Sequence, residues 1–238
     1  NDDIGEQWDE VSQLHGGKSL DRINSIVYCG DGIVLAGAGG YRGDVIRSTD
    51  YGKTWVEMET GVGDIEADIT ALVYCGNGIA LAGSRYSNAG DGDIYRSTDF
   101  GLTWTKIYDS TTLEEILSLE YCGNGIVLAG TGDSTDNGDV YRSTDFGLNW
   151  TKVEMGSDLE RIRSLLYIGN GIVLAGSGSN TDDGDVYRST DFGQNWTKIE
   201  MGSGLESIRS FAYCGGGVVV AGAGSSTDDG DVYRSTDF

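Results

Sequence analysis

The chain has 238 residues, enough for one well-filled domain, and carries 38 acidic against 16 basic side chains for a net charge of −22. That excess of carboxylate repels phosphate and so excludes nucleic acid and anionic membranes as ligands, and no stretch approaches the ~18 apolar residues of a membrane-spanning helix. A hydrophobic share of 38% excludes a disordered acidic chain, while 39 glycines with no proline favour an all-β protein rich in Asn-Gly, Asp-Gly and Gly-Gly turns.

The first twenty residues hold Asp2, Asp3, Glu6, Asp9 and Glu10 and no apolar run, which is unlike a signal peptide. An outer strand is expected at Trp8 to Gln13, within a segment 5–13 that completes the last unit. His15, the only histidine, follows beside Gly16 and Gly17; without a paired acid it reads as a loop residue rather than a catalyst, so any metal must be held by oxygen. From there the chain repeats itself. The string GDVYRSTDF occurs at 138–146, 184–192 and 230–238, with variants at 43–51 and 92–100, so that Ser48, Ser97, Ser143, Ser189 and Ser235 lie 46 to 49 residues apart. Five units result, at about 23–60, 69–109, 116–155, 162–201 and 208–238.

The fourth unit shows the internal plan. Period-2 patterning places strands at 162–168 and 172–176 around the turn Gly169-Asn170-Gly171, then a loop at 177–184, a strand at 185–190, a turn at 191–195 and a strand at 196–201. Four short antiparallel strands in ~46 residues make a propeller blade, and five units predict an all-β, five-bladed β-propeller.

The turn before each fourth strand follows S-x-D-x-G-x-x-W: Ser48, Asp50, Gly52 and Trp55; Ser97, Asp99, Gly101 and Trp104; Ser143, Asp145, Gly147 and Trp150; Ser189, Asp191, Gly193 and Trp196. It resembles the Asp-box, or BNR repeat, of sialidase-like propellers. The residue types fit a tight turn of this kind, because serine and aspartate bond the turn's own backbone, glycine permits positive φ, and tryptophan packs between sheets. The resemblance implies that the box is structural and lies opposite the ligand face. The fifth box stops at Ser235, Asp237 and Phe238, while the chain opens with Gly5 and Trp8 at the missing spacing. Joining Phe238 to Gly5 keeps the step from Ser235 to Ser48 within the spacing of the other copies. The expectation is a ring closed by the N-terminal strand joining the C-terminal blade, with no bare sheet edge.

Other repeated positions read as follows. Cys29, Cys75, Cys122 and Cys214 share one slot, filled by Ile168 in the fourth unit; buried free thiols beyond disulfide reach are expected. Arg47, Arg96, Arg142, Arg188 and Arg234 precede each box serine and are expected to pair with acids such as the box aspartates. Tyr95, Tyr141, Tyr187 and Tyr233 alternate with them and should pack between blades. The sequons at Asn149 and Asn195 fall inside the box turn and read as coincidence. Loops between second and third strands cluster carboxylates beside glycine, which suits Ca²⁺, with Asp182, Asp183, Asp185, Asp228, Asp229 and Asp231 as candidate ligands. Their spacing is not that of an EF-hand, and Asp-Gly is also ordinary turn chemistry. No other cofactor is implied.

A sialidase carries an arginine triad, a tyrosine nucleophile backed by glutamate and usually an Arg-Ile-Pro motif, and this chain has no proline. Glycoside hydrolysis also needs one asymmetric carboxylate pair, where near-identical blades supply five similar environments. Departures from the repeat mark the ligand candidates: Tyr41 and Arg42 in the first unit, Arg85 and Tyr86 in the second, with Asp136, Asp182 and Asp228 in the later loops. Glu120 replaces Val27, Val73, Leu166 and Ala212 of the other units, a lone carboxylate without a catalytic partner. The reading is a non-catalytic, monomeric, secreted module that recognises a glycan or protein surface multivalently through the loops of one face. The alternatives are a glycoside hydrolase of unusual blade count and a purely structural, self-assembling repeat protein.

Overall fold

The computed structural model describes residues 10, 22–39, 44–58, 67–86, 92–108, 114–133, 137–155, 160–179, 184–199, 201, 206–224 and 230–237. Each repeat forms one antiparallel sheet. Blade one contains β1 (Arg22–Gly30), β2 (Ile33–Gly39), β3 (Val45–Ser48) and β4 (Val56–Met58); blade two contains β5 (Ala67–Gly76), β6 (Ile79–Tyr86), β7 (Ile94–Ser97) and β8 (Thr105–Tyr108). Blade three contains β9 (Glu115–Gly123), β10 (Ile126–Gly132), β11 (Val140–Ser143) and β12 (Thr151–Val153), and blade four β13 (Ile162–Gly169), β14 (Ile172–Ser177), β15 (Val186–Ser189) and β16 (Thr197–Ile199). Blade five contributes β17 (Ile208–Gly215), β18 (Val218–Ala223) and β19 (Asp231–Ser235). No helix occurs among the described residues.

The turn chemistry dictates the hairpins. Asn170 and Gly171 take φ of 51° and 80° between β13 and β14, the doubly positive geometry of a type I′ turn, which matches the twist of paired strands. Asp31, Asn77 and Asn124 do the same before their glycines. The fourth strands shrink to three or four residues, shorter than the sequence pattern suggests.

Consecutive blades pack through their inner strands, β1 on β5, β5 on β9, β9 on β13 and β13 on β17. The second strand carries a glycine at each junction because the next blade comes close: a Cβ on Gly37 would lie 2.6 Å from Ile69 Cγ2, and one on Gly130 2.6 Å from Ile162 Cγ2. Side chains also stitch the inner strands together. Asn24 Nδ2 donates to the Ile69 carbonyl at 3.0 Å, Thr70 Oγ1 to that of Ile116, and Ser164 Oγ to that of Ile208 at 3.1 Å. Between blades one and two lies a core of Leu35, Val45, Ile69, Leu72, Tyr95 and Trp104; the next two junctions repeat it, and the fourth keeps Leu174, Val186, Ile208, Phe211 and Tyr233 with no tryptophan among the described residues. The tyrosines of the third strands pack there, as their alternation with arginine predicts.

The two ends of the array are uncovered among the described residues. Ile23 is 43% and Ile26 64% exposed, although their counterparts Ile69 and Leu72 are buried by blade one. At the other end Val232 is 75% exposed, while Val45, Ile94, Val140 and Val186 are buried under the following blade. Cys29, Cys75 and Cys122 are free and buried as expected, but Cys214 is exposed because the face it shares with Val232 is open. Gly5, Trp8 and the strand expected within 5–13 lie outside the described residues, as does Phe238.

Candidate functional site

The two ends of each blade differ in chemistry. At one end the Asp-box turn closes on itself. Ser143 Oγ accepts the Gly147 amide at 2.9 Å and donates to Asp145 Oδ1 at 2.8 Å, and Asp145 in turn accepts the Asn149 amide at 2.9 Å. Trp150 Nε1 donates to the Gly147 carbonyl, and the same pattern recurs around Ser97 and Ser189. In blade one, hydrogen bonds from Thr54 and Ser48 hold the Asp50 carboxyl down at about 2. Among the described residues Ser235 keeps its bond to Asp237, at 2.9 Å.

Two features of this end differ from the sequence reading. The box arginines do not donate Nε to the box aspartates. Arg47, Arg96 and Arg142 reach across the junction and donate to the carbonyls of Phe100, Phe146 and Phe192 in the next blade, at 2.8 to 2.9 Å. Each of those aromatics, with Tyr51, takes a positive φ near 60° that costs about 1–3 kcal/mol in a non-glycine residue. Its ring packs on an inner-strand tyrosine, as Phe192 does on Tyr167 at 5.9 Å, and its amide bonds the adjacent hairpin.

The other end, where inner strands begin and the loops after second strands emerge, carries a chain of charges. Arg22 and Arg85 share one carboxylate oxygen of Asp68, at 2.5 and 2.9 Å. Arg85 occupies the place of Gly39, Gly132, Gly178 and Gly224 in the other blades. Glu115, which takes the place of Asp68 in blade three, lies in the field of Arg85, Arg161 and Arg163; burial nevertheless pushes its carboxyl above the ordinary range. Beside it burial also raises Glu114, whose Oε2 accepts the Thr131 hydroxyl at 2.6 Å. Arg163 and Arg209 each fix Nε on a carbonyl at the end of the second strand, Gly178 and Gly224, at 2.9 and 2.7 Å. Five arginines and several carboxylates thus line the starts of five adjacent inner strands.

Of the sequence candidates, Arg85 joins this cluster. Tyr86 pairs with Ala67 in the sheet, and its side chain lies outside the described residues, as do Tyr41, Arg42, Asp136, Asp182, Asp183, Asp228 and Asp229. Two candidate calcium ligands have protein partners: Asp185 binds Lys198 Nζ at 2.7 Å, and Asp231 accepts the Tyr233 hydroxyl at 3.2 Å. The lysine contact is itself a repeat, with Lys106 on Asp93 and Lys152 on Asp139 at 3.0 and 2.5 Å. Among the described residues no three histidine, cysteine, aspartate or glutamate side chains gather as a metal site. The sequence reading took the connections that end at Asp68 and Arg161 as pocket walls but singled out none of Arg22, Asp68, Glu115 and Arg161 as a ligand-binding side chain. Their signal was a single column of the repeat that changes charge from unit to unit between constant neighbours.

The segments 94–107 and 186–199 match the BNR-Asp box repeat. None of the curated proteins matches the chain. Among solved structures it is similar to YCF48 bound to D1 peptide, at 17% identity and a TM-score of 0.61 over 85% of this chain and 62% of that one. It is similar also to the GH74 xyloglucanase of Xanthomonas campestris, at 14% identity and 0.68 over 95% and 37%, and to the GH74 enzyme of Niastella koreensis, at 18% and 0.65 over 89% and 35%. The chain therefore spans less than two thirds of the length of each. At such identities the likeness defines a class of fold: this is a β-propeller type of protein. More particularly, it is a five-sheet array built on Asp-box repeats.

Proposed function

We propose that the chain is a non-catalytic recognition module whose charged end binds an extended protein segment. The observation that carries this reading is Arg85 on Asp68, the point where the second blade breaks the repeat to place a guanidinium between two carboxylate-bearing inner strands. Alternating arginine and carboxylate over adjacent strands suits a peptide carrying both charges better than a neutral sugar, because each exposed ion on the ligand meets an opposite partner. The structural neighbour YCF48, bound to a peptide, supports a protein ligand on this fold. Glycan recognition by the same loops is the second member of this reading, supported by the xyloglucanase neighbours. Fluorescence polarisation against a mixed-charge peptide library tests it. Binders should weaken with salt, and Arg85→Gly, the residue of the other repeats, should weaken them about tenfold with the melting temperature nearly unchanged. Binders indifferent to salt and to Arg85→Gly overturn it.

We infer further that the module is a closed ring in which Gly5 and Trp8 complete blade five. Three junctions support this. Trp104, Trp150 and Trp196 each enter the core shared with the preceding blade, where a Cβ on Gly101, Gly147 or Gly193 would press on Leu35, Leu81 or Leu128. At the fourth junction the counterpart Leu174 borders a cavity of about 310 Å³, with Val186, Phe211 and Tyr233 around it. Arg188 Nε is buried without a hydrogen-bond partner among the described residues, and its counterpart carbonyl is that of Phe238. Removing residues 1–13, or Trp8→Ala alone, should lower the melting temperature sharply; an unchanged transition rules out closure.

A further inference from the structure

The junction of blades three and four departs from the repeat at the box end, on the rim opposite the charged loops. A cleft of about 410 Å³ lies there between the fourth strand of blade three and the box turn of blade four, within the size range of small-ligand sites. Its charged groups are mostly engaged. Arg142 Nε donates to the Phe192 carbonyl, Lys152 binds Asp139, and Asp145 takes the Ser143 hydroxyl and the Asn149 amides. Glu154 lies in the field of Lys152.

What remains is neutral and rich in hydrogen-bonding groups. Asn149 and Asn195 each donate one Nδ2 hydrogen to a box aspartate, at 2.7 and 2.6 Å, which holds both amides in place and keeps a carbonyl oxygen and a second N–H for a ligand. Gln194, Thr144, Thr151 and the apolar Val153 complete the lining. Among the described residues this combination of amides sets the junction apart. Gln194 stands where blades two and three carry Leu102 and Leu148, both more than half exposed, and Asn149 and Asn195 stand where blades one and two carry Thr54 and Thr103.

We propose that this cleft binds a neutral, hydroxyl-rich ligand, a short segment of uncharged glycan. Fixed amides offer a donor and an acceptor side by side, which matches the paired hydroxyls of a pyranose ring, whereas an anion would meet Asp145 and Glu154 and an apolar group would strand the amides. The site is separate from the charged end and does not depend on its ligand.

The test is titration of the ¹⁵N-labelled full chain with cellotetraose and chitotetraose. The side-chain amide signals of Asn149, Gln194 and Asn195 should shift saturably with at least one sugar. The double variant Gln194→Leu with Asn195→Thr installs the residues of blade two, so it should melt like the parent and bind that sugar about tenfold more weakly. Absence of shifts with both sugars at ~10 mM overturns the proposal, since a site with a Kd of about 1 mM would be roughly nine-tenths occupied at that concentration. Shifts confined to the Arg85 end, or undiminished in the double variant, overturn it equally.

Discussion

Glu120 Oε1 accepts a 2.9 Å hydrogen bond from the backbone N–H of Tyr167 and so ties the inner strand of blade three to that of blade four. Burial pushes its carboxyl up to about 7 from an ordinary 4.5, against the pull of the amide, which favours the charged form. The folded chain therefore holds this proton more tightly than the unfolded chain. The stability it contributes, about 3 kcal/mol at most, is fully present below pH 4.5 and is lost as pH rises through 7. Thermal melts should fall from about pH 5 to about pH 7 and level off above it, and Glu120→Gln, which keeps the acceptor, should melt higher than the parent above pH 7 with a shallower slope below it. Identical slopes in both proteins would show that the carboxylate is charged throughout.

The junction glycines give a direct reading of ring closure. Alanine at Gly130 would put a methyl 2.6 Å from Ile162 Cγ2 and 2.8 Å from the Ile162 carbonyl oxygen, an overpacking worth about 1–3 kcal/mol in urea unfolding. At Gly222 a Cβ meets, among the described residues, only Ser210 Oγ, at 2.9 Å. A closed ring brings Ile23 there, so Gly222→Ala should cost as much as Gly130→Ala. A neutral Gly222→Ala beside a destabilising Gly130→Ala reports an open array.

The box serines should differ by position. Ser143→Ala strands the buried Gly147 amide and removes a donor from Asp145, and about 2 kcal/mol of stability should be lost in equilibrium unfolding. Equal tolerance of alanine and serine at 143 would mean that the turn's own backbone geometry suffices.

Thiol chemistry checks the same packing. Burial pushes Cys75 and Cys122 up to about 12 and Cys29 to about 11, so none of these offers thiolate near neutral pH. Cys214 shares their slot, and closure covers it as blade two covers Cys29. The full chain should react slowly with a disulfide reagent at all four cysteines, and deletion of residues 1–13 should release one fast thiol. A fast thiol in the full chain points to an uncovered fifth blade.

The five units, the strand positions and the box turns were legible because each is local chemistry written five times: an Asn-Gly turn, a period-2 strand, a serine bonding its own loop. The partner of Arg142 was not, since Phe192 lies 50 residues away in the next blade and its carbonyl has no side-chain signature. Asp185 could be read as a metal ligand or an ion-pair partner until the register of β15 and β16 set Lys198 across from Tyr187 and within reach of the carboxylate. The positive φ of Phe192 was equally hidden, because aromatic residues rarely adopt it unless tertiary contacts on both sides compensate the strain.

By itself the amino-acid sequence determined the blade, since short-range hydrogen bonding and alternation fix four strands whatever their neighbours. Only the tertiary structure decided what the blades do to one another: that Arg22, Asp68, Arg85 and Glu115 share one end, that Glu120 is buried against a neighbouring amide, and that Asn149, Gln194 and Asn195 line one rim cleft. Those outcomes depend on distances between residues about one repeat apart, and a one-dimensional pattern records the kinds of side chain in each blade but not which of them meet across its face.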